Sequence, residues 1–413
     1  MGYQQGLSGL AGASNALDVI GNNIANANTV GFKSSTAQFS DMYANSIATS
    51  VNTQIGIGTA LASVQQQFGQ GTINTTNSSL DVAINGNGFF QMSNNGTITY
   101  TRDGTFQRDK NGYIVNSQGL NLMGYAADKN GVINTAQTVP LQAPTTNIAP
   151  TATTKITGQF NLNSQDTVPT KTPFDANDTT TYNYSTSIQV YDSLGGSQAV
   201  NMYFVKTAAG TWEAYAGVQG GTTNDLGTIQ FDSSGAISGT TTGSPATPTA
   251  ALGQFQFKVP NTDGSATPQT LTLDLTGTTQ YGGKDGVNNL AQDGYASGTL
   301  ATFTIGTDGK VTGNYSNGQT AVLGQIALAN FNNPNGLVNI GGNQYAETAA
   351  SGVPQISVPG STNHGTLQGS ALENSNVDLT SQLVNLITAQ RNYQANAQTI
   401  KTQQTVDQTL INL

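Results

Sequence analysis

Apolar residues at both ends of the chain fall on helical stripes. Counted from Leu379 in alternating steps of four and three, the stripe runs Leu379, Leu383, Leu386, Gln390, Tyr393, Ala397 and Ile400, which is a heptad seam. Steps of three and four at the N-terminus reach Tyr3, Gly6, Leu10, Ala13, Leu17, Ile20, Ile24 and Ala27. A helix with a narrow apolar stripe is marginal alone in water, because packing rather than propensity supplies most helical stability. Each end therefore needs a partner. Two seams at opposite ends imply one helical module, from which the rest of the chain loops out and returns. The residues expected to form an assembly seam are Leu10, Leu17, Ile20, Ile24, Leu379, Leu383, Leu386, Tyr393 and Ile400.

The N-terminal helix also carries Gly6, Gly9, Gly12 and Gly21, each costing up to about 1 kcal/mol relative to Ala in a helix interior. Either intramolecular packing rescues a poor helix, or the small residues admit a neighbouring subunit. The helix should end in Asn26-Ala27-Asn28, before Val30-Gly31-Phe32 turns the chain. Phe39, Met42, Tyr43 and Ile47 then recur at helical spacing, which predicts a short amphipathic helix, and Gln54 to Gly71 reads as a connector.

From Leu80 the period changes to two. Leu80, Val82 and Ile84 alternate, Asn85-Gly86-Asn87-Gly88 supplies a turn, and Phe89-Phe90 opens the next apolar run. Further turns at Asp103-Gly104, Asn111-Gly112 and Asn130-Gly131 separate Tyr113-Ile114-Val115 from Leu120 to Tyr125, which predicts a β-meander to about residue 139. Pro140, Pro144 and Pro150 mark a linker. A second β region follows, with strands expected from Gln189 to Val205 around a Ser193 to Ser197 turn, at Phe255 to Val259, and at Thr270 to Thr276. In the last of these Leu271, Leu273 and Leu275 alternate with Thr272 and Asp274, the pattern of a half-buried antiparallel strand. Gly239 to Pro248 reads as an exposed loop. The first β pattern resumes at Ala301 and exits near Pro354 and Pro359.

The expected fold is mainly β with α-helical, coiled-coil-like termini and nested discontinuous domains. Residues 1–72 with 366–413 form a terminal helical domain, 73–148 with 292–365 an inner β domain, and 149–291 an outer β domain.

Composition changes this picture in one respect. Only 8% of the 413 residues are charged, where a soluble domain carries about 25%, so the surface must be built from Thr, Asn, Ser, Gln and Gly. Disorder is the competing reading, but 15 Tyr and 14 Phe sit in alternating patterns that disordered chains lack. A net charge of -9 with 13 basic residues argues against phosphate-backbone binding, and so against nucleic acid as a partner. The absence of Cys excludes disulfides, thiolate metal sites and a Cys nucleophile. No run approaches 18 apolar residues, so membrane insertion is not expected. The opening MGYQQGLSGL has no basic region or continuous apolar core, and Gly6 occupies the Ser/Thr position of a myristoylation motif. Read alone, that start implies a cytoplasmic protein.

Candidate chemistry is sparse. His364, the one histidine, lies between Asn363 and Gly365, which leaves neither a His-based triad nor a multi-His metal site. Asp109-Lys110-Asn111-Gly112 and Asp128-Lys129-Asn130-Gly131 resemble calcium loops, yet Leu120 and Val139 stand where the closing Glu belongs. They read as hairpin turns. Gly86-Asn87-Gly88 lacks the third glycine of a dinucleotide fingerprint. The 22 acidic residues contain no pair that singles itself out for glycosidase work. Trp212, in Thr211-Trp212-Glu213, is either a sugar platform or a strand aromatic in the core. No catalytic residue, metal site or cofactor is expected.

Two long strings at the termini carry a family resemblance. LDVIGNNIANANTVGFKSS, Leu17 to Ser35, resembles the N-terminal signature of the flagellar rod and hook axial proteins, and SNVDLTSQLVNLITAQRNYQANAQTIKT, Ser375 to Thr402, resembles their C-terminal helix motif. Ala83 to Phe90, Tyr100-Thr101-Arg102-Asp103-Gly104, and Ala329 to Leu337 with Gly341 to Ser351 add to the likeness. Chain length, the opening decapeptide, and Val190-Tyr191-Asp192-Ser193 with Val200 to Thr207 are similar to the hook branch, since rod members are shorter and lack the middle domain.

The resemblance implies a non-enzymatic subunit of a tubular homopolymer, the hook, which joins rod to filament as a universal joint. It also implies an extracellular position reached through the flagellar type III export apparatus without a cleaved signal, overriding the cytoplasmic reading. Its implied partners are further copies of itself, the distal rod protein, the hook cap and the hook–filament junction proteins. A distal rod subunit is the nearest alternative, and a secreted β-rich glycan-binding module or a cell-wall hydrolase would be another class. Physics agrees with a polymer: seams completed by neighbours make heterologous contacts, and contacts that do not close generate a helical filament.

Overall fold

The computed structural model describes residues 2–42, 56–128, 130–144, 147–242, 251–261 and 263–411. The chain divides into two compact units, one made of Met1–Thr145, Ala301–Asn314 and Thr320–Leu413, the other of Thr146–Leu300 and Tyr315–Gln319. It is mainly β, with one long helix at each end.

In the first unit, α1 (Gly2–Ala25) and α2 (Leu379–Ile411) pack on each other. Asp378 caps α2, its Oδ1 accepting the N–H groups of Thr380 at 2.9 Å and Ser381 at 3.2 Å, which satisfies donors that a helix start leaves open and places a negative charge at the positive end. After α1 the chain does not form the second helix expected from Phe39 and Met42. Ser35–Met42 and Gly58–Gln66 instead pair as an antiparallel hairpin, with Phe39 opposite Leu61; Tyr43, Ile47 and Gln54 lie outside the described residues. The hairpin forms because α1 offers it a close seat. A Cβ built on Gly12 would lie 3.3 Å from Thr59 Cγ2 and 3.6 Å from Phe39 Cε1, so the bare glycine backbone lets the two strands lie against the helix. Residues 58–66, expected as a connector, are thus half of a ladder.

The β part of this unit reads much as the period-two pattern predicts. Its largest sheet runs in the order Leu300–Ile305, Lys310–Tyr315, Thr320–Ile326, Asn121–Ala126, Phe89–Asn94, Thr97–Thr101, Gln344–Ala346 and Val338–Gly341. Phe89 and Phe90 are both fully buried, and since successive strand residues face opposite sides, each anchors a different core. Phe90 packs with Val82, Ile84, Met92, Leu122 and Leu328; Phe89 packs with Tyr100, Phe331, Leu337 and Tyr345. Two short ladders bring the far end of the chain back to the near end. Val82–Asn85 pairs with Thr366–Gly369, and Ile73–Thr75 with Ala371–Glu373.

The second unit holds a five-stranded antiparallel sheet in chain order, Tyr184–Tyr191, Ser197–Ala208, Thr211–Val218, Thr223–Phe231 and Ile237–Thr242. It also holds a four-stranded sheet ordered Gln254–Val259, Gln269–Asp274, Lys155–Asn161, Gly286–Gln292, in which Lys155–Asn161 runs parallel to Gln269–Asp274. Leu271, Leu273 and Leu275 are wholly buried, as their alternation predicts, in a cluster with Phe160, Phe204 and Phe257. Trp212 belongs to the same cluster and is fully buried, which removes it as a sugar platform. The expected loop from Gly239 begins as the end of the strand Ile237–Thr242; residues 243–250 lie outside the described residues.

The aromatic core of the first unit gives the fold a pH dependence. Burial raises the Tyr345 hydroxyl from 10.0 to about 12, and it raises the Tyr100 hydroxyl in the same direction, helped by the bond that Tyr100 donates to Glu347 Oε2. An unfolded chain releases these protons near pH 10, whereas the fold retains them. The stability they confer is complete below pH 10 and is lost as pH rises toward about 12, by about 2–3 kcal/mol for Tyr345 alone. Chemical denaturation across this window should show the loss, and Tyr345→Phe should flatten it. An unchanged slope in the variant would mean that Tyr345 ionises as freely folded as unfolded.

Candidate assembly interface

The terminal helices meet along a face that the hydrophobic pattern predicts only in part. Leu10, Leu17, Ile20 and Ile24 of α1 are half-buried, as are Leu386 and Ile400 of α2. Leu379 and Leu383 are not covered, and Tyr393 is exposed. The side of α2 that is shielded carries Gln382, Leu386, Ala389, Asn396, Ala397, Ile400 and Gln403, so the contact is turned away from the predicted stripe. Glycines on α1 explain the turn. A Cβ on Gly6 would lie 2.9 Å from Ile400 Cγ1, and one on Gly9 would lie 2.8 Å from Asn396 Oδ1, so a bulkier residue at either place would displace the Ile400 or Asn396 side chain. Gly6, Gly9 and Gly12 therefore seat parts of the same chain, whereas a Cβ on Gly21 would meet nothing within 4 Å.

What remains open on α2 is an apolar strip. Leu379, Leu383, Val384 and Ile387 are 44%, 50%, 59% and 50% exposed, although Leu379, Leu383 and Ile387 recur at four-residue steps and Val384 lies three residues before Ile387, which places them on one helix side. Val406 and Leu410 are also exposed further along, as are Tyr3 and Leu7 on α1.

Below the helices lies a buried charge cluster that sequence reasoning missed. Glu373 Oε1 accepts from Lys33 Nζ at 2.7 Å and from the Gly71 N–H at 2.8 Å, while Oε2 faces Arg102 Nη1 at 3.2 Å. Lys33 also donates to the Gly69 carbonyl at 2.9 Å, and Arg102 Nη2 to that of Gly86 at 2.8 Å. All three side chains are essentially shut off from water. Burial pushes the Lys33 ammonium below its ordinary value, the neighbouring Arg102 adds to that, and Glu373 opposes both. Burial lowers Arg102 as well, against the pull of Glu373, and its guanidinium lies over the Phe89 ring at 5.4 Å.

Backbone contacts fasten the same place. The Gly31 N–H donates to the Glu373 carbonyl at 2.8 Å, and Gly31 adopts φ +69 with a would-be Cβ 2.6 Å from Asp103 N, a position only glycine fits. Asn376 accepts from Ser34 N and donates to the Gln67 and Gly69 carbonyls. Asn23, also buried, exchanges hydrogen bonds with the Ser35 backbone and reaches Gln382 at 3.3 Å, tying α1, the hairpin and α2 together. The available signal was rarity: in a chain with 13 basic residues, Lys33 is the only charged residue between Asp18 and Asp41.

The other candidates resolve as ordinary structure. Asp109 Oδ1 accepts from Asn111 N and Tyr113 N, and Asp128 Oδ1 from Asn130 N and Val132 N, which are turn-closing bonds. Both ring nitrogens of His364 sit against loop and strand carbonyls, of Thr362 and Gln355. Among the described residues no group of three or more His, Asp or Glu could hold a metal ion, and no helix is long and apolar enough to cross a membrane.

Comparison with known proteins covers the chain from end to end. Family models match residues 4–33 (Flagella basal body rod protein), 83–159 (Flagellar hook protein FlgE/F/G D1 domain), 161–295 (Flagellar basal body protein FlaE D2 domain) and 368–413 (Flagellar basal body rod FlgEFG protein C-terminal). Flagellar hook protein FlgE of Salmonella typhimurium is 43% identical over 424 residues, with all of both chains covered. The chain belongs to the flagellar hook protein family. FlgE of Escherichia coli (strain K12) is 42% identical over 423 residues, again covering both chains fully, and that of Treponema pallidum 32% over 456 residues, covering 99% of this chain and 98% of its own. As a hook protein it is a structural component of the flagellum. Lys33 and Glu373 fall inside the N- and C-terminal family regions, so the buried cluster joins the two parts shared with rod proteins.

The charge cluster makes a quantitative prediction. Glu373→Gln leaves two buried cations without a counter-charge and should cost about 3–5 kcal/mol in chemical denaturation. Lys33→Met leaves the Arg102–Glu373 pair neutral and should cost clearly less. Equal losses in the two variants would mean that packing, not charge, governs the cluster.

Proposed function

We propose that this hook protein self-assembles into a flexible helical tube that couples the rod to the filament as a universal joint, with the terminal helices forming its inner wall. The observation that carries this reading is the apolar strip Leu379, Leu383, Val384 and Ile387, left uncovered on α2 while α1 already occupies the adjacent side. Four large apolar side chains in a row on a helix of an isolated subunit favour burial by another copy. Under this reading the seam residues divide by role. Leu10, Leu17, Ile20, Ile24, Leu386 and Ile400 hold the two helices together within a subunit, while Leu379, Leu383 and Tyr393 serve the contact between subunits.

The division into a terminal helical, an inner β and an outer β domain remains our working scheme, with residues 366–373 contributing strands to the inner part. A joint that bends while rotating must break and remake contacts between outer domains cheaply. A surface with few fixed ion pairs suits that, because each contact exchanged is a weak one. Further proposals follow from family membership: export by the flagellar type III apparatus, a place outside the cell, and contacts with the distal rod, hook cap and hook–filament junction proteins.

Variants separate the two roles. Leu383→Asp puts a charge on the open strip and should leave the isolated subunit's melting temperature unchanged while abolishing tubes in electron micrographs. Ile400→Asp buries a charge between α1 and α2, at about 2–5 kcal/mol, and should lower helix content as well as block assembly. Gln398→Asp, on an exposed turn of α2, should assemble normally. Tubes from Leu383→Asp that match those of the parent chain would remove the strip from the interface.

A further inference from the structure

Seven Asn-Gly pairs punctuate the chain, beginning at residues 85, 87, 95, 111, 130, 317 and 335. At such pairs the glycine nitrogen can attack the asparagine side-chain carbonyl, because no Cβ blocks its approach. The nucleophile is the amide nitrogen after loss of its proton, so an N–H already given to an acceptor is held back. Six of the seven are held. Gly86 donates to Gln70 Oε1 at 3.0 Å and Gly96 to Ser93 Oγ at 3.3 Å. Gly112, Gly131, Gly318 and Gly336 donate to the carbonyls of Asp109, Asp128, Tyr315 and Asn333 at 3.0–3.1 Å. Gly88 is different. Among the described residues its N–H meets no acceptor, and the exposed Asn87 carboxamide has no hydrogen-bond partner either.

We propose that Asn87 is the site at which this chain spontaneously deamidates. Gly88 N forms a bond to Asn87 Cγ, and the side-chain nitrogen leaves as ammonia, carrying away the displaced proton and giving a five-membered succinimide. Water then opens one of its two carbonyls, yielding aspartate or isoaspartate and one added negative charge. The consequence reaches the buried cluster. Asn87 follows Gly86, whose carbonyl receives Arg102 Nη2 at 2.8 Å, and its own carbonyl receives the Gly365 N–H at 2.7 Å. Isoaspartate turns that second carbonyl into a free carboxylate and lengthens the main chain by one methylene, so it loosens the support beneath Arg102.

The test ages the full-length chain in heavy-oxygen water at mildly alkaline pH and maps label uptake by peptide mass spectrometry. Position 87 should take up label about ten-fold faster than any other Asn-Gly pair, the factor that one withheld hydrogen bond of about 1.4 kcal/mol supplies. Gln70→Ala frees the Gly86 N–H and should raise labelling at Asn85 by a similar factor. In denaturant the seven rates should converge. A rate at 87 no higher than at the other pairs, an unresponsive Asn85 in the variant, or a preference for 87 that survives denaturation would each overturn the assignment.

Discussion

The pairing of Glu373 with Lys33 and Arg102 is the constraint on which the rest of the first unit depends. It joins residues 340 positions apart in the chain, and every nested feature follows from that closure. Closing so long a loop costs little more entropy than closing a short one, since the cost grows only with the logarithm of length. What it does require is a specific lock. Three desolvated charges are a poor source of net stability but a strict one of geometry, because any register that separates them leaves a charge buried alone. The Gly31 and Asn376 backbone bonds, and the ladder between Ile73–Thr75 and Ala371–Glu373, then have one register to adopt.

Much of the β architecture was legible in the sequence because burial and periodicity coincide there. Leu271, Leu273 and Leu275 alternate and are all buried, and Phe89-Phe90 marks a strand covered on both faces. The hairpin Ser35–Met42/Gly58–Gln66 was not legible. Its Phe39, Met42, Leu61 and Val64 are all substantially exposed, so no period was imposed on them by a core, and the spacing of Phe39, Met42, Tyr43 and Ile47 passed for a helix. The face of α2 failed for a related reason. The shielded side of α2 joins Leu386, Ala397 and Ile400 of the stripe to Gln382, Ala389, Asn396 and Gln403, small or polar residues that a hydrophobic template ignores. The buried cluster escaped because a charge in a sequence reads as surface until its partners are known.

These misses share a meaning. In an isolated subunit the hydrophobic stripe of α2 is split, part of it facing α1 and part facing outward. A sequence under selection for two partners shows the sum of both contacts, and no single stripe describes either. Under the proposed function the low charge of the chain fits the same economy of contact, since subunits that slid past one another would be served by surfaces without long-lived ion pairs.

The most direct test of this account is a cryo-EM reconstruction of the assembled chain at side-chain resolution. It should show α1 and α2 of each subunit still paired through Gly6 and Ile400, the Lys33–Glu373–Arg102 cluster intact, and Leu379, Leu383, Val384 and Ile387 covered by helices of another copy. A polymer in which that strip faces solvent, or in which α1 leaves its own α2 to pair with a neighbour's, would contradict it.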